Sequence, residues 1–215
     1  ERQPATLLAV PLFHATGTLA VYLSSYRAQR RLVSMYKWDV AEAARLIEIE
    51  QINTVVAPAA MTGDLVVYAE EQGADLSSLD YVGGGGAPRA PAQVKRIAQS
   101  FAKALPNTGW GMTETSPLAT ISRRIAKRAD LERTEDELIA NQAKAGQLMP
   151  GLQLEIFDDQ WKPLPHDGEA FGELLIKGPW ICSEYFNNPQ PDKFHDGWLV
   201  TGDVAKIDDE GYLII

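Results

Sequence analysis

Strand-like and helix-like segments alternate through the first half of the sequence, and this alternation constrains the fold more than any other feature. Asp39 and Glu42 form a capping-box pattern, after which apolar residues recur at helical spacing. Strand-like runs cover 5–13, 54–57 and 79–82, and helical patterns cover 16–29, 39–52, 60–72 and 91–101. Because strands joined by helical crossovers lie parallel, the sequence predicts a parallel-strand α/β layer.

The pattern changes after Pro150. Apolar and polar residues alternate over 152–156, and apolar runs at 173–177 and 198–200 follow between turn residues, which is typical of antiparallel strands. Between the two halves, the polar stretch 123–144 contains a second capping box and predicts a surface helix on a long connection. We therefore predict an α/β fold with an α/β subdomain over 1–147 and a smaller, mostly antiparallel β subdomain over 148–215.

Composition and charge exclude several classes of protein. The chain of 215 residues is 45% hydrophobic and 23% charged, which is ordinary for a globular protein, and its net charge of −9 argues against nucleic acid as a main partner. No apolar run approaches the roughly 20 residues that span a bilayer, so we expect no membrane span. The single cysteine, Cys182, excludes an internal disulfide and fits a cytoplasmic location. Oligomeric state is not readable from the sequence.

The segment 109–114 reads Gly-Trp-Gly-Met-Thr-Glu and carries the densest set of ligand-binding groups. It follows a predicted strand, which places it at the carboxyl end where α/β sheets bind ligands. It offers glycines and an aromatic face for adenine, a hydroxyl for phosphate oxygens and a carboxylate for Mg²⁺. Taken alone, it is more often a Gly-rich corner with a core tryptophan.

Three further segments are weak signals by themselves. The glycine run 83–86 lets a ligand approach the backbone closely, but it lacks the spacing of a dinucleotide fingerprint, and Pro88 interrupts the expected helix start. A plain Rossmann dehydrogenase is therefore disfavoured. The run 201–203, Thr-Gly-Asp, is a common β-turn sequence, and a lone histidine such as His14 is more often structural than functional.

Taken in order, these segments resemble the signature motifs of the adenylate-forming superfamily, which includes acyl-CoA synthetases, luciferases and peptide-synthetase adenylation domains. The segment 109–114 is similar to the aromatic-Gly-x-Thr-Glu motif, and 198–203 is similar to Trp-x-x-Thr-Gly-Asp. The segments 85–88 and 11–14 resemble the Gly-Gly-Ala-Pro and Pro-x-x-His segments. The resemblance covers nearly the whole chain.

The resemblance implies an enzyme, an AMP-forming acid–thiol ligase. It would join a small-molecule carboxylate, fatty or aryl, to CoA, and it would use ATP and Mg²⁺. Thr113 would contact phosphate, Glu114 would bind Mg²⁺ and Asp203 would bind the ribose hydroxyls. His14, which together with Thr113 and Glu114 is assigned to catalysis, would also line the acyl pocket. The other assigned residues are Gly84 and Gly85 in the acyl pocket and Gly86, Ala87, Pro88, Thr108, Gly109, Trp110 and Gly111 around the nucleotide.

The sequence also departs from the family pattern. The aromatic position usually holds Tyr, so Trp110 keeps a stacking face and loses the hydroxyl. No acid follows His14 within 15–18, which favours an acyl or aryl carboxylate over an amino acid, because a buried ammonium needs a partner. The family's loop ending in Pro-Lys and its C-terminal domain have no counterpart in the sequence. We therefore expect an internal fragment of a longer enzyme, inactive or nearly so by itself.

Two alternatives stay open. The acceptor could be the phosphopantetheine of a carrier protein instead of CoA, which an adjacent carrier domain would favour. The chain could also belong to a degenerate, non-catalytic AMP-binding module, in which the Pro-Lys loop or the C-terminal lysine would be missing from the full gene.

Overall fold

A mixed β-sheet runs through the computed structural model, which describes residues 3–85, 90–101, 105–123, 127–187 and 190–215. Its strands follow the order β2-β1-β3-β4-β5-β6-β7-β12-β11-β9-β8, and β10 pairs with β11 outside this path. The strands are β1 Ala5–Leu8, β2 Arg31–Ser34, β3 Thr54–Val56, β4 Tyr81–Gly84, β5 Leu105–Trp110, β6 Thr120–Ile121, β7 Gly146–Leu148, β8 Gln153–Phe157, β9 Gly172–Lys177, β10 Phe194–His195, β11 Trp198–Ile207 and β12 Tyr212–Ile214.

Helices connect and cover the first part of this sheet. The α-helices are α1 Ser24–Arg27, α2 Val40–Glu50, α3 Ala59–Gln72, α4 Pro91–Ser100 and α5 Glu135–Ala143. A π-helical segment, Thr16–Leu23, leads directly into α1, and short 3₁₀ turns cover Thr113–Thr115, Arg128–Glu132 and Pro191–Lys193. In the described part of the chain, no helix has both the length and the apolar character needed to cross a membrane.

Strands β2, β1, β3, β4 and β5 pair in parallel, as the alternating pattern predicts. The Asp39 side chain accepts a 2.9 Å hydrogen bond from the Glu42 backbone N–H, which satisfies a free donor at the start of α2. Gly73 ends α3 in the left-handed conformation, with φ of 68°, which a glycine adopts without steric cost. The helices bury their apolar residues against the sheet, where Ile47, Leu65 and Val82 are almost fully buried.

Strand β5 is where the sheet changes character. It pairs in parallel with β4 and antiparallel with β6, and every later pairing in the sheet is antiparallel among the described strands. A second apolar core, which includes Leu154, Leu174 and Leu199, lies on this antiparallel part. The predicted fold class, a parallel α/β layer followed by antiparallel strands, is confirmed. The division into subdomains at 147/148 stays a prediction. Strand β7 spans that position, and it pairs with both β6 and β12.

Local details differ from the sequence prediction where long-range contacts outweigh local pattern. The first strand ends at Leu8 rather than continuing to residue 13, and β2 was not predicted. The predicted surface helix is α5, capped by Thr134 as expected, but Leu138 and Ile139 are buried. Gln142 is also buried, and its amide donates a 2.8 Å hydrogen bond to the Pro106 carbonyl, so α5 is packed against β5.

Candidate active site

Two cavities meet at the carboxyl end of β5. The larger cavity, of about 1130 Å³, lies over the parallel strands beside the Thr16–Leu23 segment. The smaller cavity, of about 330 Å³, lies between the end of β5, the end of α5 and Asp203. Thr108, Gly109 and Gly111 line both cavities, so the predicted motif separates two adjoining spaces. This is where an open α/β sheet binds its ligands, at the carboxyl ends of the strands.

A tight turn after β5 presents Thr113 and Glu114 to the larger cavity. The Thr115 hydroxyl accepts a 2.9 Å hydrogen bond from the Met112 N–H and donates one of 3.0 Å to the Met112 carbonyl. The turn also brings the chain back against Gly111, where an added Cβ would lie 2.0 Å from the Pro117 carbonyl oxygen. Only glycine fits there, which gives a physical reason for this glycine in the motif.

Glu114 is held from the other half of the chain. The Tyr185 hydroxyl donates a 2.7 Å hydrogen bond to Glu114 Oε1, and this bond to a carboxylate raises the pKa of Tyr185 to about 12. The Cys182 backbone N–H donates to the Glu114 carbonyl at 3.0 Å. Burial, and then the Glu114 charge, raise the pKa of the Cys182 thiol, so this thiol stays protonated near neutral pH.

Glu114, the predicted metal ligand, is not part of a larger metal-binding cluster in the described part of the chain. Among the described residues, no group of three or more His, Cys, Asp and Glu side chains is arranged to hold a metal ion. A single carboxylate fits the way in which Mg²⁺ is bound together with a nucleotide, because the phosphates and water supply the remaining ligands. Glu114 has Oε2 available for this, since Tyr185 occupies Oε1.

Trp110 and Asp203 are in direct contact at the smaller cavity. The indole N–H of Trp110 donates a 2.8 Å hydrogen bond to Asp203 Oδ2. Trp110 is buried in the second core, whereas Asp203 is half-buried. The pairing of β11 with β9 is irregular between Val200 and Val204, and such a bulge re-aims side chains. Thr201, Gly202 and Asp203 lie within strand β11, although the sequence Thr-Gly-Asp by itself favours a turn.

The residues predicted for the acyl pocket lie together at the larger cavity. His14, Gly84 and Gly85 all line it. His14 Nδ1 accepts a 3.2 Å hydrogen bond from the Thr16 N–H, which orients the ring at the start of the Thr16–Leu23 segment. Gly85 lies against β5, where an added Cβ would be 2.9 Å from the Gly109 carbonyl oxygen. Gly86, Ala87 and Pro88, predicted to contact adenine, lie outside the described residues.

Some residues at the site were not singled out by the sequence analysis. Thr115 shapes the turn, and the Tyr185 hydroxyl holds the Glu114 carboxylate. Arg30 lines the larger cavity, as does Thr6. The Thr6 and Thr108 hydroxyls are buried with no hydrogen-bond partner among the described residues. No sequence pattern marks Tyr185 or Arg30, because each contacts a partner that is distant in the chain.

A Gly-rich strand end between two cavities, with a carboxylate beside each, defines an α/β domain that binds small molecules. The chain belongs to the AMP-binding enzyme family, whose model matches residues 1–186. It is similar to the long-chain-fatty-acid–CoA ligase of Thermus thermophilus, with 30% identity over all of this chain and 40% of that protein. The relationship predicted from the motifs is therefore confirmed.

Solved structures show the same fold. The N-terminal domain of FACL13 from Mycobacterium tuberculosis superposes with a TM-score of 0.81 and 27% identity, over all of this chain and 51% of that one. The o-succinylbenzoate CoA synthetase of Bacillus subtilis, solved with ATP and magnesium ion, superposes with a TM-score of 0.77 and 24% identity, over all of this chain and 41% of that one. The chain thus spans about half or less of the proteins it matches.

Proposed function

We propose that the full-length protein is an AMP-forming acid–CoA ligase. It would convert a fatty or aryl carboxylic acid first to an acyl-adenylate and then to an acyl-CoA thioester. The observation that carries this proposal is the hydrogen bond between Trp110 and Asp203, which joins the two predicted nucleotide motifs at one cavity. The names of the similar proteins support CoA as the acceptor. We also propose a cytoplasmic location, which the single cysteine supports.

The nucleotide would lie across the end of β5. Its ribose would bind Asp203 through Oδ1, because Oδ2 is already held by Trp110. The adenine would occupy the smaller cavity against Trp110 and Gly109 to Gly111, and its phosphates would pass the Thr113 hydroxyl toward the larger cavity. Mg²⁺, bound to Glu114 and the phosphates, would neutralise charge that develops as pyrophosphate leaves.

The carboxylate would enter through the larger cavity, past His14. In the first step a carboxylate oxygen forms a bond to the α-phosphorus, the bond to the bridging oxygen breaks, and pyrophosphate leaves. In the second step the CoA thiolate forms a bond to the acyl carbon and AMP leaves with the carboxylate oxygen. The protein forms no covalent bond on this route, so its contribution is to position the reactants and to stabilise charge.

Carboxylate-dependent release of pyrophosphate by the full-length protein tests this function. We expect release with Mg·ATP and one class of acid, and AMP and thioester formation on addition of CoA. Glu114→Gln removes the metal-binding charge and should lower kcat by about a hundredfold, by analogy with the loss of one charge-stabilising group. Glu48→Gln, on the exposed side of α2, is the matched control. Release of pyrophosphate without thioester formation would point to a carrier-protein acceptor, and no release with any acid would contradict the proposal.

A further inference from the structure

The larger cavity ends in a group of polar side chains, at the end of the sheet opposite to Glu114. Thr6 on β1 lies beside Thr54 on β3, and Thr54 lies beside Tyr81 on β4, so the three side chains form a row across one face of the sheet. All three line the cavity. Between this row and the turn that carries Glu114, the walls are largely apolar and include Val10, Leu19, Ala20, Val56 and Ala57.

Arg30 brings a positive charge to this row. Its Nη1 donates a 2.6 Å hydrogen bond to the Thr54 hydroxyl, and in the described part of the chain it forms no ion pair with a carboxylate. The adjacent Arg31 differs, because its guanidinium pairs with Glu50 at 2.7 Å. Since a guanidinium has five N–H donors in a planar fork, Arg30 has donors left for a ligand at the cavity.

The buried hydroxyl of Thr6 is a second polar group to consider at this end of the cavity. Thr6 is 2% exposed, and its Oγ1 has no hydrogen-bond partner among the described residues. A polar group buried in this way normally has a partner, and Thr6 is one of the residues that line the same cavity as Arg30. Arg30 is an exposed residue, so its charged N–H donors are open to a ligand, and an apolar ligand end would form no hydrogen bond with them.

The length of the cavity defines the ligand further. Tyr81, in the polar row, is three positions along the chain from Gly84 and four from Gly85, and both glycines lie in the predicted acyl pocket. At about 3.3 Å per strand residue, the two ends are about 10–13 Å apart. Carbon–carbon bonds of about 1.5 Å advance an extended chain by about 1.25 Å per bond, so about eight to ten bonds cover this span.

We propose that the larger cavity binds a medium-chain dicarboxylic acid, with one carboxylate at the reaction site and the other on Arg30. The distal carboxylate accepts hydrogen bonds from the Arg30 fork and from the Thr6 hydroxyl, while the methylene chain lies against the apolar walls. Arginine and a carboxylate match in charge and in planar geometry, which a methyl end of a fatty acid does not. This inference rests on the proposed function in that the proximal carboxylate is the group that ATP activates.

The test compares decanedioate with decanoate on the full-length protein. We expect kcat/KM for pyrophosphate release to be higher for decanedioate, and Arg30→Gln to lower this value by about tenfold to a hundredfold, as for a lost hydrogen bond to a charged group. The value for decanoate should stay within about twofold. Thr6→Val, which keeps the shape and removes the hydroxyl, should also lower the value for decanedioate alone. Arg27→Gln is the matched control, since Arg27 lies at the end of α1 outside the cavity.

Binding of both acids without ATP, measured by calorimetry, separates this inference from the proposed function. Pyrophosphate release with equal preference for both acids, unchanged in Arg30→Gln, would overturn the dicarboxylate site and leave the ligase intact. Arg30-dependent binding of decanedioate without acid-dependent release would support the site and overturn the ligase. Absence of both binding and release would overturn both.

Discussion

Trp110 Nε1 lies 2.8 Å from Asp203 Oδ2, a contact between residues 93 positions apart. It links the last residue of β5, the strand at which the sheet changes from parallel to antiparallel pairing, with the irregularly paired strand β11. A tyrosine, usual at the position of Trp110 in the proteins that the motif resembles, would carry its polar group at the tip of the ring. The indole N–H is placed at the ring edge, and it orients one carboxylate oxygen while the other stays available.

Trp110→Phe removes this donor and keeps an aromatic ring. Since a hydrogen bond to a charged group is worth about 1.5–3 kcal/mol and Asp203 is only half-buried, we expect KM for ATP to rise by about tenfold. The change in kcat should be smaller. Steady-state kinetics of the full-length protein at varied ATP checks this, and Trp38→Phe is the control, because the Trp38 indole N–H also donates to an aspartate, Asp64, outside both cavities. An unchanged KM for ATP would show that the indole N–H has no part in binding the nucleotide.

Tyr185 makes stability depend on pH at the alkaline end. Its folded-state pKa of about 12 lies above the ordinary value of 10.0, because it donates to the Glu114 carboxylate. Its contribution is therefore complete below pH 10 and is lost as pH rises toward 12. Urea unfolding between these limits should show a steeper loss of free energy in the native protein than in Tyr185→Phe. Equal slopes for the two proteins would argue against this hydrogen bond.

Glu210 makes stability depend on pH at the acid end. Hydrogen bonds from Lys127 and Arg133 hold the pKa of Glu210 below its ordinary value of 4.5, and the contact with Arg133 is 2.6 Å long. The contribution is therefore present above pH 4.5 and is lost as pH falls through the lowered pKa.

Glu210→Gln tests this network, which connects the Arg128–Glu132 turn with the β11–β12 connection. We expect it to lower the free energy of unfolding at neutral pH and to flatten its decrease below pH 4.5. Glu42→Gln is the matched control, because Glu42 pairs with Arg45 within one exposed helix face, where such pairs contribute little. A smaller effect at Glu210 than at Glu42 would contradict the assignment.

The helix cap formed by Asp39 was predicted from the sequence, and its contribution to stability can be measured. Asp39→Ala removes the side chain that caps α2 and should lower the free energy of unfolding by about 1 kcal/mol. Asp39→Asn retains the capping oxygen and should cost less than Asp39→Ala. Chemical denaturation of the three proteins checks the order. A loss in Asp39→Asn as large as in Asp39→Ala would show that the charge matters more than the cap.

How much of the structure the sequence predicts depends on how far apart in the chain the contacting residues lie. The helix that begins at Asp39, the end of α3 at Gly73 and the parallel strands were predictable, because periodicity, caps and glycines act within a few residues. Motif order also predicted the family, which the family match over 1–186 confirms. The site roles of Thr113, Glu114 and Asp203 stay predictions, although the structure places all three along the two adjoining cavities.

The sequence by itself thus determined the fold class and the family, and it predicted the segments that carry the site. Only the tertiary structure decided which side chains meet: Trp110 with Asp203, Glu114 with Tyr185, and Arg30 with Thr54. The physical reason is that strand register and bulges set these contacts across 93, 71 and 24 positions of the chain. Local pattern carries no information about a partner at such a distance, so the polar end of the larger cavity became visible only in the folded chain.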